Sequence, residues 1–270
     1  MALLEGEEAI VARVKQIFTY PIKGLTPQTH DRAQLERDWG IPGDRAFALM
    51  FVDPGKPEPE MTVQWLSKGH FAMQNDWPGL AALNCRRDRE ILTVSIEGNP
   101  LLVASLEDER DRIGQFFTGY LAGLTPTPEA RHPQKSPLKL VGNSNGKTRY
   151  PDRHPVHISI LSQATLDALS EACGKSVDVR RFRPNLLVDG VEAWEEFNWV
   201  GKTWQLGEAK IEISARIGRC PNIEVDPETG DRDLGLLSLL KDRYGHCQTG
   251  VLAKVLTSGD LTVGDRLKAL

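Results

Sequence analysis

Residues 209–230 read AKIEISARIGRCPNIEVDPETG. AKIEISA has the composition of a strand, and the chain then runs through a basic stretch past Gly218 to Cys220, ahead of Pro221 and an Asp-Pro turn. Fixed positive charge favours a thiolate over a thiol, so Arg216 and Arg219 predict a cysteine that titrates below its free value and can attack or bind a metal. The same two arginines also fit a solvated surface turn, because charges beside turns are usually exposed.

Outward from this stretch, VHISIL, PNLLVDG, TWQLGE and GVLAKVL are further short apolar runs bounded by turn residues. Such spacing predicts strands. Two helices are expected among them, near 163–173 after Ser162 and near 234–244 before Gly245. The first half repeats the pattern in IVARVKQIFTYP, DRAFALMFVDPG, EMTVQWLSKG, LAALNCRRDRE, ILTVSIEGNP and LLVAS, which predicts a β meander or barrel. Ser105, with Asp108 three residues on, predicts a capped helix with an apolar stripe at Ile113, Phe116, Phe117 and Tyr120, ending at Gly119 or Gly123. Residues 125–155 hold six prolines and the run GNSNGKT and read as a linker or long loop. The expectation is a strand-dominated α+β fold in two domains, residues 1–124 forming a β-barrel-like unit and residues 125–270 a second unit with a few helices.

A chain of 270 residues with 26% charged side chains and a formal charge of -4 is an ordinary globular composition. It lacks the clustered cationic excess that counterion release on nucleic acid requires, so a small-molecule partner is expected, with no nucleic acid. No apolar run reaches membrane-spanning length and the acidic start MALLEGEEA lacks signal-peptide character, so the expected compartment is the cytoplasm, without a membrane. Cys85, Cys173, Cys220 and Cys247 are widely spaced and form no C-x-x-C pair, so reduced thiols are expected. Cys85 and Cys173 sit among apolar or small neighbours and read as small hydrophobes.

Other motifs carry less. The run from Gly142 to Thr148 has three residues between glycines where a Walker loop has four, and Tyr150-Pro151 follows instead of an apolar helix. His154 and His157, three apart on a strand, face opposite sides and cannot easily share a zinc ion. There is no G-x-S-x-G elbow, no C-x4-C-x2-C run for an iron–sulfur cluster and no flavin or nicotinamide fingerprint.

Four cationic groups remain: YPIKG with Lys23, GIPGDR with Arg45, RRFRPN with Arg180, Arg181 and Arg183, and the RC turn itself. The planar donors of clustered guanidiniums match phosphate oxygens; a surface ion-pair patch with Asp178 is the competing reading of the RRFR run. In order and spacing, YPIKG, G-x-x-G-DR, RRFRPN and RC-x4-VDP-x-TG resemble the MOSC proteins, named after the C-terminal domain of molybdenum cofactor sulfurase. The resemblance is greatest to the branch with an N-terminal β-barrel domain, which includes the mitochondrial amidoxime reducing components and their bacterial relatives, and it covers nearly the whole chain.

The resemblance implies a C-terminal MOSC β-barrel and a molybdenum–molybdopterin cofactor, with Cys220 as the metal ligand and catalytic centre. It implies that Lys23, Arg45, Arg183 and Asn185 hold the pterin and its phosphate. It also carries pyridoxal phosphate binding as a secondary expectation. Two departures stand out: Gly24 replaces the family's usual serine, and PNIE follows Cys220 where relatives often carry threonines. Glu195 or Glu196 in WEEFNW either lines the pocket or belongs to a surface turn. The implied activity is two-electron reduction of N-hydroxylated or related oxygen-bearing substrates, with electrons from a separate reductase or an iron–sulfur or haem protein. Two alternatives stand beside it: a sulfur carrier using a Cys220 persulfide, and a noncatalytic module that holds a phosphorylated ligand or cofactor.

Overall fold

A computed structural model describes residues 11–53, 60, 62, 66–132, 136–153 and 157–270. Seven strands close into a barrel. Val11–Thr19 pairs with Leu186–Asp189, followed around the ring by Ile158–Ser162, Gln248–Thr257, Ala209–Gly218, Thr203–Leu206 and Arg266–Ala269, which returns to Val11–Thr19. The pairs are antiparallel except Ile158–Ser162 with Leu186–Asp189. That parallel pair needs a crossover, and the helix Gln163–Cys173 supplies it, opened by Ser162, whose Oγ accepts from Thr165 N at 3.1 Å. The strands are short and alternate inward apolar residues with outward polar ones, and Trp204, Ile211, Ile213, Val251 and Leu267 meet in the closed interior. Each large aliphatic or aromatic side chain so buried contributes about 1.5–3 kcal/mol.

The first strand, although N-terminal in sequence, belongs to the barrel built by the second half. The chain turns at Tyr20-Pro21, and Ile22–Lys23 then pairs in parallel with Phe47–Phe51, in a separate sheet. YPIKG is therefore the crossing point between two cores. The second core gathers Phe47, Leu49, Trp77, Leu92, Ile113 and Phe117 between that sheet, the meander Asn84–Asp88, Ile91–Ile96 and Asn99–Ser105, and the helix Arg110–Ala122.

The sequence-based elements are modified in three places. The first helix begins at Arg110, because Ser105 Oγ accepts from Asp108 N at 3.0 Å while Ser105 N donates to Glu109 at 2.9 Å, so a turn precedes the helix. Inside 125–155, where loop signals dominate, Leu138–Gly142 forms a strand antiparallel to Phe47–Phe51. Residues 61 and 63–65 of EMTVQWLSKG lie outside the described residues, and its end runs into a 3-10 turn, Lys68–His70, rather than a strand.

Candidate functional site

The strand Ala209–Gly218 alternates regularly up to Ile213, and the pairing with Gln248–Thr257 then slips twice, between Ile213 and Ala215 and between Arg216 and Gly218. Bulges re-aim side chains at the rims of barrels. These two bring the chain out of the core, so Cys220 emerges exposed at the wall of a cavity of about 320 Å³. Ser159 and Leu252, on the barrel's outer face between core-facing neighbours, supply one wall; Gly24, Met73 and Gln74 from the first half of the chain supply the other.

The two arginines that flank the cysteine in sequence do different things. Arg216 lays its guanidinium over the Phe197 ring, 4.4 Å from its centre, and does not line the cavity. Arg219 lines it, with Nε donating to Thr249 Oγ1 at 2.6 Å and Nη1 to the Phe182 carbonyl at 2.8 Å. Burial lowers Arg219 to about 10, with Cys220 and Tyr20 acting in the opposite sense.

Asp44, fully buried, organises the cationic wall. Its Oδ1 accepts from Tyr20 N at 2.9 Å. Its Oδ2 accepts from Arg45, from Arg149 Nη2 at 2.9 Å and from Asn185 Nδ2 at 3.2 Å. Burial alone would favour the neutral acid; Arg45 and Arg149 outweigh it and hold the carboxyl below its usual range. Asn185 is equally committed: Nδ2 also donates to Phe18 O, and Oδ1 accepts from Ser159 N, so it joins three segments at the cavity floor. Tyr20 provides a platform for the Arg45 and Arg183 guanidiniums, 4.5 and 4.2 Å from its ring centre, and anchors its hydroxyl on Pro184 O at 2.9 Å.

Of the residues expected from sequence, Cys220, Arg45, Arg183 and Asn185 all line this one cavity. Lys23 stands behind it. Its ammonium is sealed and donates to Tyr150 O at 3.0 Å, Pro151 O at 3.1 Å and Asp152 Oδ1 at 2.6 Å, so it reaches the cavity through Pro151 and Asp152, both lining residues. Burial lowers Lys23 to about 8, with Asp152 opposing. Arg180 is spent on Asp178 and Glu228, and Arg181 on Asp226 and Asp233 at 3.0 and 2.8 Å; the ion-pair reading of RRFR holds for these two, although Arg181 lines the cavity. Neither Glu195 nor Glu196 lines the cavity: Glu196 accepts from Thr165 Oγ1 at 3.0 Å, beneath the Gln163–Cys173 helix. His157 lines the cavity and His154 lies outside the described residues.

Sequence reasoning missed Asp44 and Arg149. Asp44 sits inside the quoted GIPGDR turn, where its neighbour took the attention; Arg149 directly follows the GNSNGKT loop and carries no local signal.

Gly24 answers for one departure. It holds φ +82°, and a Cβ there would approach the Ala72 carbonyl oxygen to 2.4 Å. Gly24→Ser is therefore expected to cost about 1–3 kcal/mol from strained backbone alone, read as a lower denaturation midpoint at unchanged slope. An unaltered midpoint would show that the turn relaxes freely.

The chain matches the MOSC domain over residues 145–268 and the MOSC N-terminal beta barrel domain over residues 11–118. It belongs to the MOSC family. This MOSC protein is 24% identical over 248 residues to mitochondrial amidoxime reducing component 2 of Rattus norvegicus, covering 82% of this chain and 68% of the relative. It is 27% identical over 245 residues to mitochondrial amidoxime-reducing component 1 of Danio rerio, covering 82% and 70%. A solved structure, the YuaD protein from Bacillus subtilis, aligns over 97% of both chains with a TM-score of 0.48 and 12% identity. These MOSC matches lend no support to pyridoxal phosphate binding, and relatives with mitochondrial names lend none to a cytoplasmic location. Among the described residues no helix is long and apolar enough to cross a membrane.

Proposed function

We propose that the cavity holds a molybdenum–molybdopterin cofactor and that the protein reduces N-hydroxylated or related oxygen-bearing substrates. One observation carries this reading. Among the described residues an exposed thiol shares a cavity with eight Lys and Arg side chains and a single acidic one, and two of those cations that are partly buried, Arg183 and Arg219, have no carboxylate partner. Burial lowers both guanidiniums, so their charge is held at a cost that a bound anion would offset. The donor set fits the cofactor: a soft thiolate suits molybdenum, and preorganised guanidiniums suit a phosphate.

In this reading Cys220 ligates the metal as a permanent ligand. Arg45 and Arg183, stacked on Tyr20, hold the anionic tail, and Arg149 and Asn185 keep Arg45's counterion Asp44 in register. Lys23 backs the same wall through Asp152. The bound cofactor supplies two-electron oxygen-atom transfer. Reduction of an N-hydroxylated substrate consumes two electrons and two protons and yields the N–H compound and one water. The electrons come from a separate reductase or an iron–sulfur or haem protein, because the sequence holds no cluster or flavin motif of its own.

The test is elemental analysis of freshly purified protein, paired with fluorescence of the oxidised pterin released on denaturation. The expected result is molybdenum and pterin in equal amounts. A persulfide mass on Cys220 without molybdenum would replace this reading with sulfur transfer, and anion binding with neither metal nor persulfide would leave a ligand-holding module.

A further inference from the structure

Two sets of cations in the cavity contrast. Arg45 and Arg149 are sealed, 9% and 8% exposed, and locked on Asp44. Lys68 and Arg131 line the same cavity with side chains 38% and 35% exposed, and Arg153 is exposed. Arg153 makes no hydrogen bond or ion pair with any described residue. Arg131 is held by Asp76 through Nε and Nη2, each at 3.0 Å, which fixes the guanidinium plane and leaves Nη1 without a partner among the described residues. Lys68 has only Asp152 at 3.5 Å, and that carboxylate is already bound more tightly by Lys23 at 2.6 Å. The mouth is thus lined by three cations, only partly compensated, beside one shared acid.

The sealed set is placed for a resident group, and the mouth set for whatever enters last. Partly exposed charges at a cleft with low-dielectric walls focus the field outward and raise the local concentration of oppositely charged solutes. Resting on the reductase reading above, we infer that the site selects N-hydroxylated substrates carrying their own negative charge, a carboxylate or phosphate that meets Arg153, Arg131 and Lys68 while the N–OH group points inward toward Cys220. The three residues determine specificity and take no part in the bond-breaking step.

The test compares benzamidoxime with 4-carboxybenzamidoxime, which share the N–OH group and differ by one carboxylate, using molybdenum-loaded protein and a chemical reductant. The acidic compound is expected to show kcat/KM about tenfold higher at low salt, through KM, with the ratio shrinking as ionic strength rises. Arg153→Ala and Lys68→Ala should each move the ratio toward one. Equal kcat/KM for the two compounds in the unmodified protein would overturn the inference, as would substitutions that depress both compounds alike. Calorimetric binding of the same pair, to the unmodified and Arg153→Ala proteins, reads the charge preference without turnover. Preferential binding of the acid with no turnover of either compound would remove the reductase reading and leave the anion selectivity standing; equal binding would remove the selectivity. If Arg153→Ala instead slows only reduction by a protein donor, the mouth docks that donor and the inference fails.

Discussion

Cys220→Ala is expected, on the reading proposed above, to lose molybdenum and to reduce N-hydroxylated substrate at least about 100-fold more slowly than the unmodified protein, since even outer-sphere changes at metal sites reach that range. No other cysteine is placed to replace it. Cys85 is buried, with burial pushing its thiol up to about 12, and neither Cys173 nor Cys247 lines the cavity. Cys220 stands exposed at the start of a 3-10 turn, so alanine should leave the fold intact. Metal content by mass spectrometry, melting temperature and turnover together decide the matter. A variant that melts like the parent, keeps its molybdenum and remains active would refute ligation by this sulfur. Cys220→Ser is expected to retain less metal than the parent, because a hydroxyl is a harder and more weakly ionised donor than a thiol.

The second large effect is expected at Asp44, which is sealed from solvent. Asp44→Ala leaves Arg45 and Arg149 as buried cations without their shared counterion and frees Asn185 Nδ2 from one of its two acceptors. Removing one member of a buried ion-paired network costs about 3–5 kcal/mol, or on the order of 10 °C in melting temperature for a chain of this size. A loss under 1 kcal/mol would mean that the two guanidiniums find other partners and that Asp44 is not the centre of the wall. The carboxyl's folded pKa lies below its usual value near 3.8, so the unfolded chain binds the extra proton. Its contribution is complete above that usual value and is lost as pH falls through the folded one. Thermal melts should therefore weaken below about pH 4, and Asp44→Asn should weaken less steeply over the same interval.

The strands were legible because alternation of apolar and polar residues is a local property, as AKIEISA shows, and the helix end at Gly245 was legible because only glycine readily takes the left-handed cap it adopts. The strand at Leu138–Gly142 was hidden by the prolines and polar residues around it; it is specified by its partner Phe47–Phe51 more than by its own composition. Within the site, motif spacing brought out Cys220, Arg45, Arg183 and Asn185, whose family pattern is written in consecutive residues. Arg149 escaped because its meaning lies 105 positions away, at Asp44.

By itself the sequence determined that strands dominate, that one thiol leaves a strand end among cations, and that the family is MOSC. Tertiary structure alone decided that the first strand closes the second half's barrel, that the chain crosses between cores at Tyr20-Pro21, and which cations keep unbalanced charge. The reason is that Coulomb energy depends on separation in space. Arg180, Arg181 and Arg183 are near neighbours in the chain, yet folding sets carboxylates against the first two and the Tyr20 ring against the third.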